Sequence, residues 1–163
     1  MRYSPGSLVV VVGAAASDSV KFAERVVEER GAVLSLTRVR ALLAGRVPEG
    51  DIEARAHELL GAAVAKRLAA NQSMVIPVET LDAEERKSYV RLAHGVRRPR
   101  HLILLDAPRN QVLEQERPLV DELRRALDAG EMGLEGFQTA VRLGGPALAE
   151  LKRIVFRPPP RED

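Results

Sequence analysis

Five consecutive apolar residues, Leu8-Val9-Val10-Val11-Val12, are broken by no polar position. Such an unalternating β-branched run predicts a strand covered on both faces, as in a parallel sheet. After the small-residue turn 13–17, Asp18 predicts a helix cap. The helix runs to about Arg30, with Phe22, Val26 and Val27 on one face, and Gly31 stops it. The same punctuation recurs along the chain. Further strands are predicted at 32–36, 74–78, 101–105 and 137–143, with a short sixth at 154–156. Helices are predicted at 38–44, 51–70, 82–94 and 111–128, the last kinked or divided at Pro118, with a short one after the break Gly144-Gly145-Pro146. Strands alternating with helices imply right-handed crossovers and helices on both faces of the sheet. The expectation is a single three-layer α/β domain over residues 1–156, built on a mostly parallel five-stranded sheet. Residues 157–163 hold three consecutive prolines, which cannot extend a helix or a sheet ladder. They read as a proline-rich disordered tail, with a proline-rich docking peptide as the alternative.

Composition narrows the chemistry. The 163 residues are 45% hydrophobic and 29% charged, a globular balance that excludes a mostly disordered chain. There is no Cys, hence no disulfide, thiolate nucleophile or Cys-ligated metal. His57, His94 and His101 are too far apart in sequence for a local metal motif, and no metal site is predicted. No apolar run reaches the roughly 18 residues of a membrane helix, and 1–7 lacks the pattern of a signal peptide, so no membrane association and a cytoplasmic location are expected. With 3% aromatics and no Trp, a stacking platform for single-stranded nucleic acid is not expected. Net charge is only +2, although 21 of the 25 basic residues are Arg. The one dense basic run, Arg97-Arg98-Pro99-Arg100-His101, reads either as a solvated loop or as a nucleic-acid contact through Arg97, Arg98 and Arg100.

In open α/β sheets, ligands bind beyond the carboxyl ends of the strands. The segment there is Gly13-Ala14-Ala15-Ala16-Ser17-Asp18-Ser19-Val20, in the strand–turn–helix setting of a phosphate-binding loop, G-x-x-x-x-G-K-[ST]. Gly13 matches the first position. Asp18 then stands at the second glycine, Ser19 at the lysine and Val20 at the hydroxyl. Together with VLSLTRVRALLAG, MVIPVETLDAEERKSYVRLAHGV and HLILLDAPRNQVLEQERP, this loop context resembles the polynucleotide-kinase-like P-loop kinases from about Leu8 to Leu143. The resemblance implies a P-loop-kinase-like fold, ATP with magnesium, and phosphotransfer. It also implies a catalytic Asp after the second strand and an Arg three residues later. Those positions hold Thr37 and Arg40. The family's Asp-x-Thr-Asn after the third strand is replaced by Pro77-Val78-Glu79-Thr80, and its arginine-bearing lid is represented by Arg109 and Arg117.

These departures remove chemistry. Backbone amides and a helix N-terminus cradle phosphate while a Lys neutralises it. Ser19 offers only a neutral hydrogen bond, Val20 has no oxygen for Mg²⁺, and Asp18 places a negative charge against a polyanion. Lys21 lies about 200° round the helix from the lysine position. Thr37 is too weak an acceptor to serve as general base. Asp18 is instead suited to accept from the free helix amides, an internal substitute for phosphate. The leading expectation is a catalytically inactive, kinase-like protein without cofactor, acting in protein interaction or assembly, with a protein partner or a homo-oligomer. Two alternatives stay open: a divergent ATP-dependent kinase with a phosphate site rebuilt from Arg40, Arg109 and Arg117, and an Arg-rich nucleic-acid-binding module. Asp106 reads as a turn residue or a metal ligand, and Glu79 as a further ligand if the fold brings the two together.

Overall fold

The computed structural model describes residues 1–14 and 18–158. Its strands and helices are β1 (Arg2–Tyr3), β2 (Leu8–Gly13), α1 (Ser19–Val26), α2 (Leu36–Leu43), α3 (Ile52–Ala69) and β3 (Met74–Pro77), then α4 (Ala83–Gly95), β4 (Arg100–Leu105), α5 (Arg117–Asp128), β5 (Thr139–Leu143), α6 (Gly145–Glu150) and β6 (Val155–Phe156). The main sheet is parallel throughout, in the order β3-β2-β4-β5. A second, two-stranded parallel pair joins β1 to β6. The chain is therefore α/β with a parallel sheet, its main sheet of four strands where five were expected.

One of the two inner strands is β2, and every residue in it is buried. Leu8, Val10 and Val12 face one apolar layer with Leu60, Val64, Leu68, Val90 and Leu104. Val9 and Val11 face the other with Phe22, Val26, Val33 and Ile103. Opposite pointing of successive side chains explains why an unalternating run was needed here: both faces are core.

Three local details depart from expectation, each for a physical reason. The strand expected at 32–36 is reduced to a bridge between Val33 and Val75, with Leu34 N donating to Val75 O at 3.0 Å. A 3-10 turn at Arg30–Ala32 and the capping of α2 by Ser35, whose Oγ accepts from Arg38 N at 3.2 Å, leave too little extended chain between them. The first helix ends at Val26 because Val27 turns to extended backbone and bridges Ile154. The helix expected from 111 begins at Arg117, after two 3-10 turns. Pro118 therefore falls in the first turn, where its missing N–H and fixed φ cost nothing, and causes no kink. Residues 159–163 of the expected tail lie outside the described residues.

Arg86, only 5% exposed at its side chain, pins the turn Glu131–Glu135 to α4 through a fork on Glu135 at 2.6 and 3.0 Å. Gly136 follows with φ 102°, and a Cβ there would lie 2.5 Å from Val90 Cγ1, so this corner requires glycine.

The two-faced core makes a contrast measurable by urea denaturation. Leu104→Ala, at a fully buried position, is expected to cost about 2–5 kcal/mol. Leu42→Ala, 68% exposed on α2, is expected to change stability by less than about 0.5 kcal/mol.

Candidate functional site

The carboxyl ends of β2, β3 and β4 each lead to an acidic residue: Asp18, Glu79 and Asp106. Parallel register aligns these ends, with Val11 opposite Pro77 and Gly13 opposite Leu105. Each carboxylate has partners within the protein.

Gly13 is the buried last residue of β2. Asp18 caps α1 from a left-handed backbone, φ 45°, a region that favours glycine and tolerates Asp at some cost. Its Oδ1 accepts from Lys21 N at 3.0 Å, so a carboxylate lies on the helix N-terminus. Lys21 Nζ turns back to Asp18 Oδ2 at 3.6 Å and is otherwise in solvent. Ser19 is buried and its hydroxyl donates to Val78 O at 3.0 Å, which ties the helix to the chain leaving β3. Val20, in the first turn of α1, is half-buried. Ser17 lies outside the described residues.

Thr37, in the first turn of α2, donates its hydroxyl to Glu79 Oε1. Arg40, one turn further on, meets Glu79 Oε2 at 2.6 Å and forks onto Glu53 of α3 at 2.9 and 2.8 Å. His57 Nε2 lies 3.2 Å from the same Glu53. Burial pushes the Glu79 carboxyl upward, but hydrogen bonds from Thr37 and Arg40 outweigh it and hold Glu79 below the ordinary range. Glu53 is likewise lowered, chiefly by Arg40, and Arg40 is raised by both acids. The arginine expected to serve an anion is engaged by two carboxylates.

Asp106 sits between Arg124 of α5, whose Nε reaches Oδ1 at 2.7 Å, and Arg142 of β5, whose Nη2 reaches Oδ2 at 2.8 Å. Arg124 also donates to Ala107 O at 2.7 Å, and Arg142 to Asp128 at 2.8 Å. Burial raises the Asp106 carboxyl, yet the hydrogen bonds from Arg142 and Arg124 prevail and lower it. Asp106 is a turn residue locked by two cations. Among the described residues, no group of three or more His, Asp or Glu is placed to hold a metal ion.

The other predicted residues are dispersed. Arg109 is exposed and pairs with Asp121 at 3.2 Å. Arg117 opens α5, its Nε buried without a hydrogen-bond partner among the described residues. Of the basic run, Arg97 is exposed with φ 56°, while Arg100 turns inward to Gly136 O at 2.8 Å and Arg98 O at 3.0 Å. Arg100 opens β4, at the opposite end of the sheet from Asp18. Sequence reasoning missed Glu53, Arg124 and Arg142. A charge inside the strand 137–143 signalled Arg142; nothing local marked Glu53 or Arg124, whose partners are distant in sequence.

A family model described as an AAA domain matches residues 8–135. No curated protein matches the chain in sequence. Among solved structures, a putative kinase from Chloroflexus aurantiacus is similar with a TM-score of 0.52 and 12% identity, over 86% of each chain. A tunicamycin resistance protein from Deinococcus radiodurans is similar at 0.48 and 18%, over 96% of this chain and 100% of that one. A gluconokinase from Sinorhizobium meliloti is similar at 0.47 and 18%, over 91% and 89%.

The Asp106 lock has a pH signature. Its carboxyl is lowered in the folded chain, so its stabilisation is full above the ordinary carboxylate range, about pH 4, and is lost as pH falls through the folded value. Asp106→Asn is expected to lose about 1–3 kcal/mol at neutral pH and to flatten the acid limb of stability between about pH 5 and 2. Urea titrations of both proteins across that window check it; parallel acid limbs would count against the lock.

Proposed function

The chain belongs to the AAA domain family, and from that premise we propose that it is a P-loop kinase-like protein that does not transfer phosphate and acts by binding another protein. One observation carries the reading: the Asp18 carboxylate accepts from Lys21 N at the start of α1, where a triphosphate would need open amides and a cation. Three further facts support it. The Ser19 hydroxyl is committed to Val78 O, and Val20 has no oxygen for a metal. Arg40, at a family position, is neutralised by Glu53 and Glu79. These residues do not fit magnesium and a triphosphate, so no transfer step is derived through them. A carboxylate and a phosphate about 4 Å apart repel by roughly 4 kcal/mol per pair of unit charges at an effective dielectric near 20, an illustrative scale.

A second reading, a divergent kinase, is favoured by a specific contact. Glu79 hydrogen-bonds Thr37 and so sets a carboxylate beside the position where the family carries its acid. The similarity in fold to the putative kinase from Chloroflexus aurantiacus supports the same reading. In this reading Glu79 is the base and Arg40 an anion ligand. Its weakness is that Glu79 is held below the ordinary carboxylate range, which lowers its capacity to take a proton.

Calorimetry with magnesium and millimolar ATP separates the two. No heat of binding and an unchanged melting temperature are expected. Saturable binding, with thermal protection abolished by Arg40→Ala, would overturn the inactive reading and establish the second. The triple change Asp18→Gly, Ser19→Lys and Val20→Ser is expected to create nucleotide binding where the native chain has none.

A further inference from the structure

Beside α2 lies a cavity of about 600 Å³, mostly apolar, floored by Leu34, Val39 and Ala63 and overhung by the exposed Leu42. It is remote in chemistry from the loop at Asp18 and from the ion pairs around Glu79. We infer that this groove receives an amphipathic helix of a partner protein that carries acidic residues beside its apolar ones. The inference rests on the interaction reading above and names the surface and the kind of partner.

Two observations select that occupant. The first excludes a strand. Val33 and Leu34 border the sheet next to β3, where an added strand would pair. The open carbonyls there are already taken: Arg38 Nη1 donates to Val33 O and to Arg30 O, both at 3.1 Å. Val33 N, on the same outer side, donates to Arg30 O at 3.2 Å. With the edge capped, apolar side chains in the groove are what remains to bind, and a helix supplies them at i, i+3 or i+4, and i+7.

The second is charge. The rim holds Arg30 and Arg38, and its lining includes no carboxylate. Arg38 makes one ion pair, with Glu24 at 3.9 Å, and Glu24 lines an adjoining hollow with both arginines; Arg30 makes no ion pair among the described residues. An apolar trough edged by Arg30, which makes no ion pair among the described residues, selects leucines flanked by Glu or Asp and rejects a basic helix. A second copy of this chain would bring its own Arg30 and Arg38 to a shared face, which disfavours self-pairing.

The test uses the full chain and two fluorescein-labelled model helices of about 16 residues, long enough to form helix on binding. One has Leu on one face and Glu on the other; its counterpart has Lys in place of Glu. By fluorescence anisotropy the Glu peptide is expected to bind at least about tenfold more tightly than the Lys peptide, and less tightly as salt is raised. Arg30→Glu should reverse the ranking. Leu42→Glu should weaken binding of the Glu peptide about tenfold or more with the melting temperature unchanged, since Leu42 is exposed. Binding of neither peptide, equal binding of both, or an unchanged ranking in Arg30→Glu would overturn the inference. So would a dimer in sedimentation equilibrium that Leu42→Glu dissociates, which assigns the groove to a second copy. Nucleotide binding in calorimetry would sink the inactive reading and leave these anisotropy outcomes to judge the groove separately.

Discussion

A cation that already has an internal carboxylate is a poor ligand for an external phosphate, and this constraint organises the carboxyl end of the sheet. Arg40 lies between Glu53 and Glu79, and Asp106 between Arg124 and Arg142. At the third position the helix dipole of α1 takes the place of an arginine, satisfied by Asp18. For phosphate to bind at any of these points, an existing charge-assisted hydrogen bond must first be broken. The partner acid must then be carried into water or left unpaired, at a cost of order 1–3 kcal/mol or more. The ion pairs also tie α2 to α3 and α5 to β5, so the elements around the loop are braced without a ligand.

Bracing of this kind joins the elements at the carboxyl end of the sheet through internal ion pairs. The parallel sheet supplies the frame: β2 is core on both sides, and its end delivers Gly13 to the turn. Ser19 then anchors α1 to Val78, joining the turns after β2 and β3 by one buried hydrogen bond. What the scaffold leaves open is its flank at α2, where the shortened second strand exposes an apolar trough.

The frame was legible because its signals are local. An unbroken Val run means two buried faces, and Asp before an amphipathic stretch means a cap; both hold at Leu8–Gly13 and Asp18. The family match over residues 8–135 agrees with the resemblance drawn from the loop and strand ends. Misplaced boundaries came where two local demands competed for the same residues. Ser35 served the helix, not the strand, and Pro118 opened a helix where it was expected to divide one. The candidate site was half legible. Thr37, Arg40, Glu79 and Asp106 stand out by position, but their pairing with Glu53, Arg124 and Arg142 depends on packing between elements distant in sequence. No periodicity encodes such contacts. In the basic run 97–100, Arg97 is exposed while Arg100 hydrogen-bonds Gly136 O and Arg98 O, a difference that adjacency in sequence does not encode.

The most direct measurement is crystallographic: the native protein grown with magnesium and a non-hydrolysable ATP analogue in excess. The account predicts empty density beyond β2, with Asp18 Oδ1 still accepting from Lys21 N near its present 3.0 Å. A triphosphate seated on the amides of the loop, with Asp18 swung aside and Arg40 released from Glu79, would contradict it.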